Sequence, residues 1–113
     1  MLGVGSALRV FVCSEPTDMR KSFEGLAFLA RDLIKQDPLS GHLFMFINRN
    51  KSSCKILYWD RSGFVIWYKQ LQRGRFSVST KLELTSTEML CVLDGLEFDK
   101  MPRKVRFKRD FVS

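Results

Sequence analysis

The chain is poor in residues that do chemistry. It has one histidine, three cysteines and three prolines among 113 residues, and twelve acidic side chains against nineteen basic ones. No apolar run approaches the ~18–20 residues that a bilayer span requires. Residues Met1 to Ala7 carry no basic flank followed by a long apolar stretch, so a secretory leader is not expected and the expected location is the cytoplasm. Cys13, Cys54 and Cys91 are an odd number and far apart, unlike the dense, even set of a disulfide scaffold. They read as reduced, buried, small hydrophobes.

The same scarcity argues against catalysis. His42 is the sole histidine, and no two cysteines lie at zinc-ligand spacing. Next to Gly41, at a strand entrance, His42 reads as a turn or capping residue. A Cys–His nucleophilic pair has no local support. Asp18, Asp60, Asp94 and Asp99 form no acidic pair suited to two magnesium ions. No glycine-rich phosphate loop precedes a helix. A non-enzyme is expected, without metal or cofactor.

Charge of one sign is what the chain does have: +7 overall. Such a balance favours polyanionic partners through long-range attraction and counterion release. Hydrophobic residues at 45% and charged residues at 27% are otherwise those of an ordinary globular domain.

Hydrophobic periodicity predicts one α+β domain over residues 1–99, followed by a basic tail over 100–113. Val10 to Cys13 reads as a strand stopped by Pro16. Thr17 or Asp18 is placed to cap a helix over about 18–36, with Met19, Phe23, Leu26, Ala30, Leu33 and Ile34 on one face. Gly25 within it suggests close approach of another backbone. Residues 43–71 read as an antiparallel meander of three strands, with Gly63 expected at a positive φ in the second turn. Phe76 to Val78 and Lys81 to Leu84 are candidates to extend the sheet to four or five antiparallel strands. Thr85 and Glu88 form a capping box, with Leu84 and Met89 as its hydrophobic staple, opening a second helix over about 86–96. The central strands are apolar at nearly every position, whereas a half-exposed sheet alternates. Two modest helices can cover one face, so the other would need the N-terminal segment, the tail or a second subunit; a homo-oligomer is the expectation.

Between Arg49 and Lys81 lie eight cations and one acid, Asp60, interleaved with Tyr58, Trp59, Phe64, Trp67, Tyr68 and Phe76. The aromatics read as core. The cations read either as a solvated rim or as phosphate contacts, for which Arg and Lys are suited. Arg20, Lys21, Arg49, Lys55, Lys69, Arg73 and Arg75 are the candidate nucleic-acid-binding residues. For Arg20 and Lys21 the alternative is an ion pair with Asp18 or Glu24.

Thr17-Asp18-Met19-Arg20-Lys21-Ser22-Phe23-Glu24-Gly25-Leu26, then Asp37-Pro38-Leu39-Ser40-Gly41-His42-Leu43-Phe44 and Lys55-Ile56-Leu57-Tyr58-Trp59-Asp60, occur in the order seen in one known family. Gly63-Phe64, Trp67-Tyr68-Lys69, Arg73-Gly74-Arg75-Phe76 and Leu93-Asp94-Gly95-Leu96 continue the match. Over roughly residues 8–98 the chain resembles the TnpB accessory proteins of insertion sequences of the sixty-six type, and not the much larger RNA-guided nuclease that shares the TnpB name. The hairpin residues Asn50-Lys51-Ser52 and Ser53-Cys54 depart from the family pattern. The resemblance implies a bacterial mobile-element protein encoded beside a separate transposase and needed for efficient movement, with no catalytic residue to carry over. Two functions follow as expectations. One is an accessory factor that binds nucleic acid, DNA before RNA, through a basic face. The other is an interaction subunit that binds the transposase without touching DNA.

Overall fold

The structure, a computed structural model, describes residues 8–77 and 80–94. In chain order it contains β1 (Val10–Val12), α1 (Phe23–Leu29) running on into a π-helical turn (Ala30–Ile34), β2 (Leu43–Ile47), β3 (Ser53–Asp60), β4 (Gly63–Gln70), β5 (Glu83–Leu84) and α2 (Ser86–Leu93). The five strands form one sheet in the order β4-β3-β2-β1-β5. The α+β class and the three-strand meander are as expected. The sheet is mixed rather than antiparallel, because β1 pairs with β2 in parallel. The reason is connectivity: α1 carries the chain back to the starting edge, as a parallel pair requires. Among the described residues of the proposed late strands, Glu83–Leu84 alone pairs, antiparallel to β1. Phe76 lies outside any strand, and Val78 and the tail fall outside the described residues.

Both faces of β1, β2 and β3 are covered, whereas β4 leaves Trp67 and Tyr68, read from the sequence as core, 38% and 51% exposed. Phe11, Phe44, Phe46 and Leu57 pack beneath Leu26, Ala27 and Ala30 of the first helical segment. Val10, Val12, Leu43, Met45, Ile47, Cys54 and Ile56 pack on the opposite side against Met89, Val92 and Leu93 of α2, with Leu84 and Phe76. Successive strand residues point to opposite faces, so a strand clad on both sides must be apolar throughout. That is why all five residues of β2 are buried. It also corrects the expectation that one face lacks cover: α2 and the buried Phe76 ring close it from within the chain.

The first helix begins later than Thr17 or Asp18. Its N-cap is Ser22, whose side chain makes no capping bond. Asp18 instead forms a turn, accepting from the Arg20 backbone at 2.9 Å and from its guanidinium at 2.7 Å. The Lys55 ammonium crosses the sheet face to reach the carbonyls of Met19 at 2.7 Å and Lys21 at 2.8 Å, tying down the chain just before α1. The widened π-turn interrupts the helical period, and Phe23 and Leu33, assigned to the inner stripe, are 44% and 45% exposed. The segment ends with Lys35 at φ 64°, closed by a Gln36 N–H to Ala30 carbonyl bond of 3.1 Å, before buried Pro38. A side chain at Gly25 would meet the stem of Lys21 at 3.3 Å rather than another backbone.

The second helix starts as its sequence dictates. Glu88 N–H donates to Thr85 Oγ1 at 3.1 Å, and Glu88 Oε1 accepts from the Thr85 N–H at 2.8 Å. Its described part ends at Leu93, whose carbonyl accepts from Lys69 Nζ at 2.7 Å. A cation there also opposes the negative end of the helix dipole. His42 accepts the Arg9 N–H through Nδ1 at 3.0 Å, the turn role expected of it. Cys13, Cys54 and Cys91 are buried and form no disulfide.

Two stability outcomes follow. Thr85→Ala should lower the unfolding free energy by about 1 kcal/mol. Lys55→Met, which strips two carbonyls of a charged donor, should cost about 1–2 kcal/mol. Urea denaturation with an unchanged slope checks both.

Candidate nucleic-acid interface

The β2–β3 turn is locked by one side chain. Asn48 Oδ1 accepts from the N–H groups of Ser52 at 2.9 Å and Ser53 at 3.0 Å, and its Nδ2 donates to Ser52 Oγ at 3.2 Å. The Lys51 N–H closes the turn on the Asn48 carbonyl at 3.0 Å. Lys51 sits at φ 60°, a left-handed conformation that favours glycine or asparagine. Arg49 and Lys51 are exposed on this turn.

The loop after β4 is pinned against the same turn. Leu71 N–H bonds the Ser52 carbonyl at 2.7 Å, and Phe76 N–H bonds the Lys51 carbonyl at 2.7 Å. The Phe76 ring is 1% exposed in the α2-side core. Between these anchors Gly74, at φ 74°, reverses the chain and leaves Arg73 and Arg75 exposed on either side of it. Four cations, Arg49, Lys51, Arg73 and Arg75, are thereby brought to one end of the sheet. Among the described residues none of the four meets a carboxylate. Asp60, the acid of this stretch, lies at the far hairpin, 3.9 Å from Arg61.

The remaining candidates are placed differently. Lys55 and Lys69 stand on opposite faces of the sheet, their ammonium groups on backbone carbonyls; Lys55 also lies 4.9 Å from the Tyr68 ring centroid. Arg20 is paired with Asp18, the alternative weighed for it, and its guanidinium holds that carboxyl down at about 2. Lys21 is exposed. Sequence counting included Lys51 but did not single it out. Its place beside Arg73 and Arg75 depends on two backbone hydrogen bonds across some twenty residues, which no local pattern encodes.

A cleft of about 400 Å³ opens beside the cationic end, where the parallel strands β1 and β2 reach their carboxyl ends. The segment after β1 turns across β2 through a Thr17 N–H to Ile47 carbonyl bond of 2.9 Å. Pro16, Asp18 and Met19 form one wall, and Arg49 and Asn50 the other. The Cys54 thiol is pushed up to about 12 by burial. Among the described residues no three His, Cys, Asp or Glu side chains group as metal ligands. No described helix is long and apolar enough to cross a membrane.

Comparison with known proteins agrees with the motifs. The chain is 40% identical over 102 residues to "Uncharacterized protein y4hO" of Sinorhizobium fredii (strain NBRC 101917 / NGR234), covering 87% of this chain and 89% of that one. It is 29% identical over 108 residues to "Uncharacterized protein y4jC" of the same organism, covering 92% of each. No solved structure matches it. Residues 8–103 match the TnpB family of the sixty-six type, described as IS66 Orf2 like protein, and the chain belongs to that family of insertion-sequence accessory proteins.

Proposed function

We propose that this accessory protein assists transposition by binding nucleic acid, DNA in the first instance, through the end of the sheet formed by the β2–β3 turn and the loop after β4. One observation carries this reading: two backbone hydrogen bonds hold Arg49, Lys51, Arg73 and Arg75 together with no carboxylate among the described residues to neutralise them. Elsewhere, Arg9 is bonded to Glu83, Arg20 to Asp18 and Lys81 to Glu88. Cations left in water at one end of a +7 chain attract a polyphosphate from a distance and release its counterions on contact. Lys55 and Lys69, committed to carbonyls, serve the fold under this reading, and Arg20 and Lys21 lie outside the central cluster.

A second reading has its own support. The first helical segment and the turn after it expose Phe23, Phe28, Leu33 and Leu39, each 44–54% accessible. Apolar groups in such number suit a protein partner, and the separate transposase of the element is the natural one. A pull-down repeated after nuclease digestion separates the readings. A complex that survives digestion favours direct protein contact, and one that dissolves favours a DNA bridge.

Anisotropy titration of labelled DNA at several salt concentrations tests the first reading. Four phosphate contacts at ~0.9 each give a log–log slope of about −3.5, and Arg73→Gln with Arg75→Gln should flatten it by about 2. Lys69→Met should lower stability and leave the slope alone. Flat traces with both duplex and single strands would overturn the reading.

Lys51→Gly should raise stability by about 1 kcal/mol, relieving the left-handed backbone, while weakening DNA binding through the lost charge. An improvement in both would contradict the assignment of Lys51.

Asp18 adds a pH expectation. Its carboxyl lies at about 2 instead of the ordinary 3.8, so its stabilising contribution is complete above about pH 4 and is lost as pH falls through about 2. At neutral pH it therefore stays ionised and masks Arg20. Asp18→Asn should leave that guanidinium, already 92% exposed, without its neutralising partner and tighten DNA binding, measurable in the same titration.

A further inference from the structure

We propose that the cleft between the β1–α1 segment and the β2–β3 turn receives an unpaired nucleobase, so that the nucleic acid held by the cationic end is single-stranded or locally opened. This rests on the nucleic-acid reading above and gives it a substrate class. The cleft and the cations share Arg49, which lines the cavity while belonging to the exposed cluster. A strand whose phosphates run past Arg49, Lys51, Arg73 and Arg75 passes its mouth.

Charge decides which part of a nucleotide enters. Asp18 stands in one wall as a carboxylate, and Glu15 borders the smaller cavity of about 100 Å³ next to it. Those carboxylates offset the Arg49 and Lys51 charges that line the same cavities, so a neutral base enters without the repulsion a phosphate would meet from them. At about 400 Å³ the cleft falls within the roughly 300–1,000 Å³ usual for small-molecule sites.

Chemistry agrees with a base. Pro16 and the half-buried Met19 supply apolar surface, and a thioether makes favourable contacts with aromatic rings. Asn48 holds the turn through Oδ1 and one of its two N–H donors, while Asn50 and Arg49 carry amide and guanidinium groups on the same wall. Both types read base edges. A base inside a duplex is stacked and paired and cannot fill a cavity in a protein wall, so occupancy requires a nucleotide out of the stack.

Anisotropy with a labelled DNA single strand and with its own duplex, at one salt concentration, tests this. The single strand should bind about tenfold more tightly, the scale of one stacked base. Asn50→Ala and Met19→Ala should each remove most of that preference and leave duplex affinity and the salt slope unchanged. Asn50 lies on an exposed turn, so its replacement keeps the test valid should Met19→Ala disturb the segment before α1. Equal affinity for the two forms, with the salt slope intact, would overturn the base site and leave the cationic end standing. An equal loss on both forms from Asn50→Ala would also overturn it, marking Asn50 as a backbone contact. Absence of binding to either form would overturn this inference together with the reading beneath it.

Discussion

Burial of the sheet on both faces is the constraint on which the rest depends. β1 and β2 lie between α1 and α2, and their residues alternate into two separate cores. Neither face of those strands is left for a ligand. What remains available is the periphery: the turns at the strand ends, the outer strand β4 and the outward side of the helices. Under the proposed function, binding falls to turns held by the sheet, the common arrangement where a scaffold positions its loops.

The lysines show how one chemical group divides between fold and function. An ammonium satisfied by carbonyls is a structural clamp, as Lys55 is for the segment before α1 and Lys69 for the end of α2. An ammonium or guanidinium held in water by a short, well-bonded turn is a free charge. Lys51 combines both economies awkwardly: its carbonyl anchors Phe76 while its backbone sits in a conformation that glycine would adopt at less cost.

Much of the fold was legible in the sequence. The meander follows from three apolar runs separated by polar turns, and the start of α2 from Thr85, Glu88, Leu84 and Met89, because these signals act within a few residues. The start of α1 is less legible because Thr17 and Asp18 resemble caps, while Arg20 takes the Asp18 carboxylate and Lys55 holds the Met19 and Lys21 carbonyls in a turn instead. The positive φ expected at Gly63 falls on Arg61, two residues earlier. Strand direction is not legible in the same way: apolar content specifies burial, but whether two strands run parallel depends on the path of the segment between them.

Composition and local pattern determined that the chain is an α+β domain with excess positive charge, and ordered motifs determined its family. Only the tertiary structure decided which cations stand together. Sequence places charges along a line, and a sheet returns distant points of that line to one end through hydrogen bonds between backbones. Arg49 and Lys51 meet Arg73 and Arg75 because β3 and β4 fold back in register, while Lys55 and Lys69, adjacent on paired strands, are sent to opposite faces by the pleat.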